Sequence, residues 1–121
     1  MTVLRSALAA FMVFAGVMHF ARPRPFVKIV PAWMPWPRAA VAVSGVAEVL
    51  LGAMTAIPAT HALGGYGLAL LFVAVFPANV NQAVNDIQFS RKRPIARRFL
   101  WARLPLQLVL VAWAVAVARS P

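Results

Sequence analysis

Four long apolar runs, separated by charged or proline-rich stretches, govern what this chain can fold into: Val3 to Phe20, Ala39 to Ile57, about Ala62 to Val80, and roughly Phe99 to Ala118. A helix needs about 20 apolar residues to cross a hydrocarbon core of roughly 30 Å, and each run is about that long. A chain of 121 residues holds four such crossings with short connections and no separate soluble domain. Residues 1–121 therefore read as a single all-α domain. Its architecture is an integral membrane antiparallel four-helix bundle, with helices at about 3–20, 39–57, 62–80 and 99–118, a proline-rich interfacial loop at 21–38 and a basic loop at 82–98. The mean hydropathy of +0.81 agrees. Arg5 gives the first run the look of a signal peptide, but His19, Phe20 and Ala21 before Arg22 make a poor small-x-small cleavage pattern, so the run reads as a retained helix.

Charge sets the orientation. Lys and Arg number 12 against 2 Asp and Glu, a balance that on a soluble domain would suggest nucleic acid. Here the cations lie between apolar runs, where they set topology and touch anionic lipid, so no nucleic acid is expected. Arg22, Arg24, Lys28 and Arg38 follow the first run, and Arg91, Lys92, Arg93, Arg97 and Arg98 follow the third. The Pro58 to His61 turn has neither Lys nor Arg, and the tails carry only Arg5 and Arg119. Both long loops are therefore expected in the cytoplasm, with both termini outside a plasma membrane. The second loop's cations are expected to contact lipid headgroups, or alternatively to dock an acidic partner. With no cysteine, the chain has no disulfide or thiolate site, and no metal site is expected.

The loop 21–38 carries Pro23, Pro25, Pro31, Pro35 and Pro37, a density at which no regular helix is expected. Trp33 and Trp36 in it suit the headgroup level, either as anchors or as part of a lid over a ligand site.

The chemistry lies in polar groups that lipid disfavours. Glu48 is the only acid in any crossing, and ten residues at about 1.5 Å each put it roughly 15 Å beyond Arg38, near the midplane. Such a carboxyl is protonated, paired or open to water, and serves either a functional site or helix packing. At about 100° per residue, Val41, Ser44, Gly45, Glu48, Gly52 and Thr55 share one face, which should point inward. On the first helix, Leu8, Ala9, Met12, Ala15, Gly16 and His19 share another. His19 is a pocket residue or a satisfied structural donor. Pro77 frees a carbonyl that Asn79 can satisfy, unless Asn79 reaches a ligand. Arg103 and Gln107 lie one turn apart; Arg103 either snorkels to the surface or turns inward to an anion such as Glu48. Together His19, Ser44, Glu48, Asn79, Arg103 and Gln107 form the candidate ligand-binding set, with Glu48 as its floor.

These segments carry a resemblance. Gly16-Val-Met-His19-Phe20, Ile29-Val-Pro31, Ser44-Gly45 with Glu48, Phe76-Pro77-Ala78-Asn79 and Arg103-Leu-Pro-Leu-Gln107 look like the DoxX family of small bacterial four-helix membrane proteins, in order and spacing from about residue 10 to 115. The resemblance implies a plasma-membrane bundle. It also implies a link to quinone-coupled oxidation or to soluble partners in oxidative-stress and thiol homeostasis, although this chain has no cysteine for a thiol role of its own.

Two functions follow as expectations. In the first, the chain is a non-catalytic membrane subunit that binds a lipophilic, quinone-like ligand and docks a soluble oxidoreductase on its cytoplasmic face, with no intrinsic cofactor. In the second, it is a proton-coupled small-molecule transporter using Glu48, working as a homodimer because one bundle has little room for a pathway. A stand-alone lipid-modifying enzyme finds no paired acid and base at fixed spacing.

Overall fold

The computed structural model describes residues 1–88 and 94–121. The chain folds into α1 (Thr2–Ala21), α2 (Pro23–Ile29), α3 (Pro37–Ala56), α4 (His61–Val84) and α5 (Arg97–Arg119), with no strand among the described residues. All but α2 are long and apolar enough to cross a membrane. The 20 residues of α1 or α3 give about 30 Å of helix, one hydrocarbon thickness. The chain is an all-α multi-pass membrane protein. Val3, Phe14, Val43, Leu70 and Leu108 stand on its outside, exposed between 64% and 80%. Lipid accepts that surface where water would not.

Two helices extend beyond the apolar runs. The helical ladder of α4 continues to Val84, and α5 begins at Arg97. Arg97 and Arg98 thus belong to the first turn of α5, both exposed, with the Arg98 guanidinium 5.4 Å from the centre of the Phe99 ring. The headgroup contacts expected of Arg91, Lys92 and Arg93 lie outside the described residues.

The proline-rich loop is where the sequence reading needs correction, because residues 23–29 form α2. Pro23 and Pro25 both fall in its first turn, where backbone N–H groups have no intrahelical acceptor and a fixed φ favours the start of a helix. The other prolines lie outside it: Pro31 and Pro35 in the link to α3, and Pro37 at the first residue of α3. Trp33 and Trp36 in that link are 70% and 72% exposed.

Packing joins the helices as two antiparallel pairs, α1 with α3 and α4 with α5, connected through α3 and α4; α1 meets α5 only sparsely. The inward faces of α1 and α3 are those read from the helical period. Leu8, Ala9, Met12, Gly16 and His19 are buried on α1, and Val41, Gly45, Glu48, Gly52 and Thr55 on α3. Gly16 and Gly45 bring these helices together: a Cβ on Gly16 would sit 2.7 Å from the Gly45 carbonyl oxygen, and one on Gly45 would sit 2.8 Å from His19 Cβ. Without side chains at the crossing, van der Waals contact extends to the backbones themselves.

The apolar core gathers Leu8, Met12, Leu68, Ala69, Phe72, Ala114 and Val117. These positions belong to the early turns of α1, the first half of α4 and the end of α5, so the core fills the end of the bundle that holds the termini. His61 ties the same end, with Nε2 2.8 Å from the Ser120 carbonyl oxygen, and Trp113 Nε1 donates to the Leu4 carbonyl at 3.1 Å. The opposite, basic end is hollow.

Candidate functional site

That hollow is a cavity of about 280 Å³ bounded by all five helices and the link before α3. Its lining includes the whole candidate set: His19, Ser44, Glu48, Asn79, Arg103 and Gln107. The remainder is largely apolar, with Phe72, Val75 and Leu110 on the α4 and α5 side and Phe26, Ile29 and Met34 above.

The first wall belongs to α1 and α3. Side chains lean toward the N-terminus of their own helix, so His19 on α1 and Glu48 on the antiparallel α3 lean toward each other. His19 Nδ1 comes within 3.2 Å of Glu48 Oε2. The same nitrogen is 2.7 Å from the Ala15 carbonyl oxygen, one turn back. A carbonyl only accepts, so Nδ1 carries the proton and donates to Ala15. Glu48 Oε2 lies beside this N–H without being its target, and it is buried with no hydrogen-bond partner. Proximity to His19 therefore does not satisfy the carboxyl. The imidazole stacks on Phe26 of α2, ring centres 3.9 Å apart and planes 19° from parallel. Ser44 spends its hydroxyl proton on the Val41 carbonyl at 3.0 Å.

The second wall is a chain of amides around one cation. Arg103 points inward and donates through Nη1 to Gln82 Oε1 and through Nη2 to Asn79 Oδ1 at 3.3 Å. Asn79 Nδ2 donates to Gln107 Oε1 at 3.1 Å, and Gln107 Nε2 donates to the Phe72 carbonyl at 2.9 Å. Two sequence expectations change here. Arg103 turns inward but meets neutral amides rather than Glu48, and among the described residues no carboxylate pairs with it. Asn79 does not meet a backbone carbonyl near Pro77: its Nδ2 goes to Gln107, and Gln107 in turn donates to the Phe72 carbonyl. Pro77 has no N–H for Val73, and its ring crowds the preceding turn beside Phe72.

Three residues of this architecture escaped the sequence reading. Gln82, 1% exposed, opens the stretch that reads as an extension of the third helix beyond the membrane and stands outside the candidate set, although Phe72, Asn79 and Gln82 repeat at helical spacing and share the buried face of α4. Phe26 belongs to a segment read as irregular. Asn81 Nδ2 donates to the Ile29 carbonyl at 2.9 Å, fastening the end of α2 to α4 across the cavity mouth.

The arrangement offers a ligand two unlike poles within an apolar chamber. One is a permanent cation with amides oriented around it, and the other is a carboxyl whose buried oxygen lacks a partner, next to an imidazole. Among the described residues no group of three His, Cys, Asp or Glu side chains is placed to hold a metal ion. No curated protein and no solved structure matches the chain. The model of one family, described as a domain of unknown function (DUF8561), matches residues 8–118, and the chain belongs to that family.

Proposed function

We propose that this protein is a DoxX-like subunit of the bacterial plasma membrane that holds a lipophilic, quinone-like ligand and serves a soluble redox or stress-response partner on its cytoplasmic face. One observation carries the proposal: six polar side chains from four membrane-crossing helices converge on a single, otherwise apolar cavity. A quinone has the matching form, a flat apolar ring with acceptor oxygens at opposite ends. Arg103 and its amides donate to one oxygen, and the His19–Glu48 wall exchanges a proton at the other. Electrons come from the partner, which docks on the basic end, so the chain itself is non-catalytic. The topology follows the charge: Arg22, Arg24, Lys28, Arg38, Arg97 and Arg98 all lie at the end that would face the cytoplasm.

Extraction in native lipid, followed by mass spectrometry of co-purifying small molecules, tests the proposal. Wild type should carry a quinone, and Glu48→Gln should carry much less. Equal retention in both would remove Glu48 from the site. No ligand in both preparations would favour the second reading, a proton-coupled transporter working as a homodimer, which the unpartnered Glu48 oxygen also suits. Substrate binding would then release a proton in wild type and none in Glu48→Gln.

A further inference from the structure

A second cavity, of about 540 Å³, opens on the outside of the bundle where the end of α1, α2 and the start of α3 meet. We propose that it is a site for the phosphate of an anionic phospholipid, with an acyl chain laid along its apolar wall. Arg24 and Lys28 line it from one face of α2, four residues apart, and Arg38 lines it from the first turn of α3. Among the described residues none of the three has an acidic partner or a side-chain hydrogen bond. The chain holds only two acids, and both are placed elsewhere: Glu48 beside His19, and Asp86 accepting from Gln88. Three exposed cations gathered around one cleft repel each other, and among the described residues no acidic side chain offsets that.

Arg38 adds to the cost. It sits at the positive end of the α3 dipole, in a first turn with no acidic residue and no side-chain cap. A phosphate among these three side chains would relieve both penalties at once. Beside the cations the cleft is lined by Phe20 at the end of α1, Val27 of α2, and Val41 and Ala42 one turn along α3 from Arg38, a surface suited to hydrocarbon. Its level in the membrane agrees, because α1 ends at Ala21, α3 begins at Pro37, and the exposed indoles of Trp33 and Trp36 occupy the link between α2 and α3. A free phosphate ion satisfies the cations but leaves that wall bare, so the lipid is the occupant that accounts for the whole cleft. His19 and Val41 line both cavities, so together they form the partition between the lipid and the inner site.

Native mass spectrometry of the full chain, released from nanodiscs of equal phosphatidylglycerol and phosphatidylcholine, tests the assignment. Wild type should retain phosphatidylglycerol in preference. The triple variant R24Q/K28Q/R38Q should weaken that retention about a hundredfold, the ratio for about 1 kcal/mol per cation at an anionic membrane surface. R5Q/R119Q, which removes two cations at the end of the bundle that holds the termini, should retain it as wild type does, whereas R24Q/R38Q should weaken it about thirtyfold. Should the triple variant not fold, R24Q and R38Q singly carry the test, each expected to weaken retention about fivefold. Unchanged retention in the cleft variants, or an equal loss in the control, overturns the site. Displacement of the phospholipid by millimolar inorganic phosphate overturns the lipid as its occupant.

Discussion

A methyl group added at Gly16 should loosen the bundle far more than one added at Gly67. At Gly16 the new Cβ would lie 2.6 Å from Val49 Cγ2, 2.7 Å from the Gly45 carbonyl oxygen and 2.9 Å from the Val49 amide nitrogen. Two of these are backbone atoms that cannot rotate away. Regaining ordinary contact at about 3.5 Å requires α1 to back off α3 by roughly 1 Å. At Gly67 all three nearest atoms belong to the Leu51 side chain, Cδ2 at 2.6 Å, Cδ1 at 3.2 Å and Cγ at 3.4 Å, and a leucine tip can change rotamer. Both substitutions gain the same helix propensity, up to about 1 kcal/mol, so their difference isolates the steric cost. That cost should be about 1–3 kcal/mol, as for other overpacked interiors. Equilibrium unfolding of G16A and G67A in mixed micelles, followed by circular dichroism, measures it. Because His19 travels with α1, G16A should also pull Nδ1 away from Glu48 and lose co-purifying ligand. Equal stability of the two variants would refute the claim that backbone contact seals α1 on α3.

Three further outcomes are expected. Glu48→Leu should raise stability by about 1–3 kcal/mol while abolishing ligand binding, because it removes a buried oxygen that no protein group satisfies; a fall in stability would make Glu48 packing glue instead. Gln107→Leu leaves the Asn79 amide without its acceptor and the Phe72 carbonyl without its side-chain donor, and should cost about 1–3 kcal/mol in the same unfolding assay. Asn81→Ala cuts the described side-chain tie from α4 to α2 and should speed ligand release and hydrogen exchange at residues 26–30, with unchanged exchange in α1 and α4; no change at 26–30 would mean that α2 is held by its apolar contacts alone.

What was legible in the sequence is what a helical period encodes. The buried sides of α1 and α3 follow from residue spacing alone, because a lipid-embedded helix turns its small and polar residues toward other helices. Convergence of His19, Ser44, Glu48, Asn79, Arg103 and Gln107 was legible for the same reason, since each is polar where lipid would penalise it. Two kinds of feature were hidden. The helix at Pro23–Ile29 depends on where in a helix a proline falls, and counting prolines does not distinguish a first turn from an interior one. The partners of Arg103 depend on tertiary packing. A guanidinium one turn from Gln107 has several groups within reach, and although the extension of α4 past Val80 is legible, the choice of Gln82 and Asn79 over Glu48 is not.

The distribution of packing along the bundle has a consequence for how the protein can change. Leu8, Met12, Leu68 and Val117 hold together the half nearest the termini, whereas the half at the basic end surrounds the cavity with a network of amides, with Leu100 and Ala83 buried as well. Substitutions of cavity-lining residues outside that network and that core, such as Val75 or Met34, therefore draw little on the contacts that keep the chain folded. Recognition can diverge while the scaffold stays intact. Such a molecule can acquire a different ligand through a few steps, each of which leaves a folded membrane protein behind.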